Sequence, residues 1–132
     1  MPMIAERLFN LLFWLTVVVA VCLASLPDPL ALPGNSSDKL LHALAFFALA
    51  TLAVVAFPRA RIGMLFLGLG VLGGAIELLQ GTLQVGREAS WLDWLADLGG
   101  AGFMLAMAAI ARATSRQHRP FSAPSDADNR NP

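Results

Sequence analysis

The chain contains no tyrosine, one cysteine and little charge of either sign. The lone cysteine, Cys22, lies in an apolar run and supports neither a disulfide framework nor a cysteine-ligated metal cluster. Nine Lys and Arg balance nine Asp and Glu, so the formal net charge is zero. That leaves no basic footprint for a nucleic acid partner. Charged residues fill 14% of the 132 positions, well below the roughly 25% of an average soluble domain. There is no GxSxG elbow, no Walker phosphate loop and no cysteine nucleophile motif. Apolar side chains are what the chain has in excess, at 57%. A soluble domain this small could not enclose so much apolar surface, which puts the chain in the membrane class.

Punctuation along the chain divides it into four apolar runs. Met1 to Arg7 is a short polar start, and Leu8 to Leu26 follows without a charge. As a helix this run is long enough to cross a hydrocarbon core of about 30 Å. It exceeds the h-region of a signal peptide, roughly 7–15 residues, so an uncleaved first helix is expected. Leu26-Pro27-Asp28-Pro29 ends it, because proline lacks the backbone donor and restricts its predecessor. Pro33-Gly34-Asn35-Ser36-Ser37 continues as a loop. Ser36 or Ser37 is placed to cap the second helix, with Asp38 in its first turn at the positive end of the helix dipole. Lys39 to Phe57 forms the second span, stopped by Pro58. Pro58-Arg59-Ala60-Arg61 is a tight basic turn, and Ile62 to Gln80 is a third span rich in glycine, whose small residues permit close helix approach. Gly81 to Ala89 is a loop. Ser90-x-x-Asp93 resembles a capping box with Asp in place of Glu, and Trp91 to Ile110 is the fourth span. The expected fold is all-α, a polytopic four-transmembrane-helix bundle over residues 1–112, followed by a disordered cytoplasmic tail, 113–132.

Orientation follows from basic residues near the span ends. Arg7, Arg59, Arg61, Arg112, Arg116 and Arg119 fall on one side of a four-span chain, whereas the other side has only Lys39 and Arg87. The arginine side is expected in the cytoplasm with both termini, and the Pro27–Ser37 and Gly81–Ala89 loops outside.

Four crossings also bring the unusual polar residues to the outer face. Asp38, Lys39 and His42 open the second helix, Glu77 and Gln80 close the third, Arg87 and Ser90 lie in or after the next loop, and Asp93 and Asp97 open the fourth. Asp38 and His42 share a helix face at i, i+4, as do Asp93 and Asp97; Glu77 and Gln80 share one at i, i+3. A charge at the bilayer centre costs on the order of 3 kcal/mol on insertion scales. Carboxylates in these spans should therefore face inward, paired with Lys39, Arg87 or His42. Taken singly, each residue has a plain structural role: Glu77 as a packed carboxylate, Ser90 and Asp93 as a helix cap, Gln80 as an interhelical hydrogen bond, Trp91 and Trp94 as an interfacial belt. Together at one face they point to a site. Lys39 and Arg87 suit a phosphate or carboxylate. His42 with a carboxylate suits proton transfer near neutral pH, with Glu77, His42 and Asp93 as candidate catalytic groups. Asp, Glu and His together could hold a divalent cation, but HExxH or similar spacing is absent, and neither a metal nor a cofactor is assigned.

The series Asp38-Lys39-x-x-His42, Glu77-x-x-Gln80, Arg87-x-x-Ser90-x-x-Asp93 and Gly99-Gly100 resembles the VanZ-like family of small bacterial membrane proteins, over roughly Ser37 to Gly102. The resemblance makes Asp38, Lys39, His42, Glu77, Gln80, Arg87, Ser90 and Asp93 characteristic positions. Asp97 departs from it, since the family pattern usually has Asn there. The family's namesake is associated with low-level teicoplanin resistance, so the resemblance implies a bacterial inner-membrane protein linked to the cell envelope. It supplies no reaction. The leading expectation is a polar outer-leaflet site that binds an anionic envelope molecule, a lipid headgroup or lipid-linked glycan precursor. In it Lys39 and Arg87 hold the anion, Glu77, His42 and Asp93 shape or protonate the site, Gln80 and Ser90 hydrogen-bond, and Asp38 and Asp97 complete the ligand-binding set. The alternatives are an acid–base or metal-assisted enzyme acting on a lipid-linked substrate, and a structural membrane subunit. Membrane lipids are the expected partners, and oligomeric state is not legible.

Overall fold

A computed structural model describes residues 2–25, 35–83 and 90–117, with the side chains of residues 2, 3, 35–38, 83, 116 and 117 left aside. The described residues form four helices and no strand: α1 Pro2–Ala24, α2 Asn35–Ala56, α3 Ile62–Leu83 and α4 Trp91–Gln117. Each contains a stretch long and apolar enough to cross a membrane: Ile4–Ala24, Lys39–Ala56, Ile62–Thr82 and Trp91–Ser115.

The helix ends depart from the sequence expectation in informative ways. α1 opens at Pro2, because proline at the first helical position forfeits an amide that has no intrahelical partner anyway. The polar start is therefore its first turns. α2 begins at Asn35, so Ser36 and Ser37 lie inside its first turn and neither is its cap. α3 runs through Gly81 to Leu83, past the loop start expected at Gly81. There Thr82 Oγ1 donates to the carbonyls of Leu78 and Leu79, which satisfies the hydroxyl without leaving the helix. α4 continues to Gln117, five residues beyond the expected boundary at 112. Polar residues do not break a helix, and Thr114 and Ser115 fold their hydroxyls back onto Ile110 and Ala111 carbonyls. Residues 118–132 of the expected tail lie outside the described residues.

The core is made of small and medium apolar side chains. Leu49, Ala50, Ala53, Ala101 and Leu105 are almost fully enclosed where α2 meets α4, the most extensive helix pair. Close approach explains the alanines: a Cβ on Gly100 of α4 would collide with the Ala43 carbonyl of α2. Gly99, one residue earlier, faces open space. α1 leans on α2 through Phe13 and Val17, touches α3 lightly and makes no contact with α4 among the described residues. Leu8, Leu11, Leu15, Val18, Leu67, Val71, Phe103 and Ile110 point outward, an apolar exterior suited to lipid.

Polar clasps mark the two ends of the bundle. At the arginine end, Asn10 Nδ2 donates to Ala56 O (3.1 Å) and Arg112 Nη1 to Ala60 O (2.9 Å). The Glu6–Arg59 pair there, at 3.5 Å and exposed, contributes little. At the opposite end, Gln80 Nε2 donates to Ala24 O at the end of α1 (3.2 Å).

Candidate functional site: a buried carboxylate–histidine cluster

Three helices deliver one ionisable residue each to a single point. His42 comes from the second turn of α2, Glu77 from near the end of α3, and Asp97 from the second turn of α4. One ligand-type atom from each lies within 4.8 Å of the other two. Asp97 is fully enclosed, Glu77 is 7% exposed and His42 is half-buried. The ionisable groups face inward, as the desolvation argument required.

The contacts around the cluster are specific. His42 Nδ1 lies 3.0 Å from Asp97 Oδ1. If that nitrogen carries the proton, the imidazole donates and its tautomer is fixed. Glu77 Oε2 accepts the backbone N–H of Ser90 at 2.8 Å. Ser90 is the N-cap residue of α4, its carbonyl accepting from the amides of Asp93 and Trp94. Glu77 thus ties the end of α3 to the start of α4, answering an amide at the positive end of a helix dipole. Three buried oxygens among the described residues have no hydrogen-bond partner: Glu77 Oε1, Asp97 Oδ2 and Asp93 Oδ1, the last lying 3.4 Å from Lys39 Nζ. Buried polar atoms are nearly always satisfied, so such orphans call for an explanation.

Gly73 makes room for the second of these oxygens. A Cβ there would stand 2.9 Å from Asp97 Oδ2 and 3.2–3.3 Å from Trp94 and Phe46. Trp94 lies across the same glycine face and donates its indole N–H to Gly70 O at 2.9 Å. It is therefore an interhelical strut, while Trp91 is 70% exposed.

The expected site residues separate into groups. His42, Glu77 and Asp97 converge. Asp93 is one turn from Asp97 and lies 3.4 Å from Lys39 Nζ, so its carboxylate meets a cation from α2, and the capping-box role assigned to it finds no hydrogen bond. Ser90 contributes its backbone, not its hydroxyl. Gln80 is buried, and its amide holds α1. Arg87 and the Asp38 side chain lie outside the described residues. Gly73 and Trp94 were not foreseen as part of the site; the only signal was the glycine density of the third span. No metal motif was legible because the three ligand types come from three helices and converge only in space. No protein-family model, curated protein or solved structure matches the chain.

Proposed function

We propose that the chain is a VanZ-like protein of the bacterial inner membrane, with both termini cytoplasmic. Its polar cluster then lies beneath the outer surface and receives the anionic headgroup of an envelope lipid or lipid-linked glycan precursor. The observation that carries this reading is the convergence of His42, Glu77 and Asp97 from three helices at one end of a bundle that is otherwise apolar. Intramembrane ionisable groups that face a bundle interior are functional by default. The basic residues support the orientation: Arg59 and Arg112 belong to the opposite end, and the positive end is the cytoplasmic one. On this reading Lys39 and Arg87 meet the anion, and a link to glycopeptide (teicoplanin) tolerance or envelope homeostasis follows from the family resemblance.

Arg87→Ala tests it. The variant should insert normally in membranes and lose retention of anionic lipid or lipid-linked precursor in native mass spectra, whereas Arg59→Ala should not. Wild-type retention by Arg87→Ala would reject the reading.

A second reading is an acid–base or metal-assisted enzyme acting on a lipid-linked substrate. The imidazole–carboxylate pair His42–Asp97, with Glu77 close by, favours it, since a positioned pair of this kind moves protons near neutral pH. Turnover of a labelled lipid-linked substrate that His42→Ala abolishes separates it from binding alone. In a purely structural subunit, substitutions at the cluster would lower folded yield and nothing else.

A further inference from the structure

We infer that His42, Glu77 and Asp97 form a binding site for a divalent first-row transition ion, Zn²⁺ or Mn²⁺. The inference goes beyond the headgroup reading and stands without it.

Charge is the first argument. Three carboxylates, Glu77, Asp93 and Asp97, are buried together, and Lys39 stands against Asp93. Among the described residues, that leaves the His42 imidazole as the group of opposite character nearest Glu77 and Asp97. A carboxylate taken out of water needs a counter-charge or coordination. A divalent ion held by two carboxylates and a neutral imidazole makes a neutral unit.

The second argument is the orphaned oxygens. Glu77 Oε1 and Asp97 Oδ2 are enclosed and unpartnered, on side chains whose other oxygens are already engaged by Ser90 N–H and His42 Nδ1. The Ser90 N–H fixes the Glu77 carboxylate, as outer-shell hydrogen bonds do around bound metals. Gly73 keeps the space beside Asp97 Oδ2 clear.

Geometry and ligand type follow. Bonds of about 2.0–2.2 Å to N and O put neighbouring ligands roughly 3–4 Å apart, and these three lie within 4.8 Å. Small side-chain rotations close the shell. Imidazole suits Zn and the later first-row ions, carboxylates suit Mn, and Ca²⁺ and Mg²⁺ prefer oxygen alone. Three protein ligands leave a coordination position open, as catalytic centres do. His42 is the exposed edge, with 15% of its side chain accessible, through which an ion enters.

The test uses tag-free full-length protein in lipid nanodiscs, stripped with chelator and titrated with Zn²⁺ or Mn²⁺, with His118→Ala as background so that the only other histidine is absent. Wild type should bind one ion per chain, and bound Mn²⁺ should lose its free-ion electron paramagnetic resonance signal. Glu77→Gln and Asp97→Asn keep shape and remove charge, and each should weaken binding at least about tenfold. Circular dichroism on the same samples confirms that they are helical. X-ray absorption of the Zn²⁺ form should show an imidazole shell that disappears in His42→Gln. Failure of wild type to take up either ion after stripping overturns the inference. So does uptake by helical Asp97→Asn equal to wild type. Lipid retention by Arg59→Ala and Arg87→Ala is scored separately, on stripped protein, so headgroup binding can fail while metal binding holds, and the reverse.

Discussion

At the scale of single residues, the cluster depends as much on what is missing as on what is charged. Gly73 has no Cβ, and the nearest atom to the place one would occupy is Asp97 Oδ2. Gly73→Ala should lower the unfolding midpoint in detergent by about 1–3 kcal/mol equivalent, the usual cost of overpacking. Asp97→Ala should relieve part of that loss, so that a double-mutant cycle shows coupling above ~0.5 kcal/mol; strict additivity would mean that the two residues do not meet. Glu77→Ala should cost more than Glu77→Gln, because alanine strips the buried Ser90 N–H of its acceptor, a loss of about 1–3 kcal/mol, whereas glutamine keeps a carbonyl oxygen. Equal unfolding midpoints for the two variants would count against that bond. The residue types here were legible in the sequence, since ionisable groups inside apolar spans stand out. Their partners were not. Ser90 acts through its amide, which every residue except proline possesses, and Gln80 reaches a carbonyl on α1 fifty-six positions away. Backbone atoms carry no signature in a sequence.

At the scale of elements, the paired glycines of α4 are unequal. Gly100 abuts the Ala43 carbonyl, while Gly99 meets nothing. Gly100→Ala should therefore push α2 and α4 apart and sharply reduce the yield of monodisperse protein in size-exclusion chromatography. Gly99→Ala should leave the yield unchanged. Similar behaviour of the two variants would mean that the α2–α4 contact is not the close one described. Four apolar runs separated by Pro58, glycines and polar stretches made the number and order of helices readable in advance. The ends were less readable, because Thr82, Thr114 and Ser115 return their hydroxyls to the helix that carries them and so let polar sequence remain helical. Which glycine faced a neighbour depended on helix rotation, and only packing settles that.

At the scale of the molecule, charge is sorted by end. Arg59 and Arg112 gather around the α2–α3 turn, with Glu6 against Arg59, whereas the buried carboxylates Glu77, Asp93 and Asp97 lie at the opposite end with Lys39. Reporter fusions should follow the same division. A fluorescent protein that matures only in the cytoplasm should glow when fused after Pro132, and alkaline phosphatase inserted between Gly86 and Arg87 should be active. An inactive phosphatase with a dark fluorescent fusion would reverse the orientation proposed above.

The first helix rests on one principal neighbour, with one side-chain amide, Asn10, tying its N-terminal half to Ala56 and another, Gln80, holding its last residue. The three residues of the ionic cluster all come from the other helices. A gene starting near Asn35 would thus still encode all three cluster residues. Severing the chain between the first two helices would therefore leave the whole His42–Glu77–Asp97 cluster on one side of the cut.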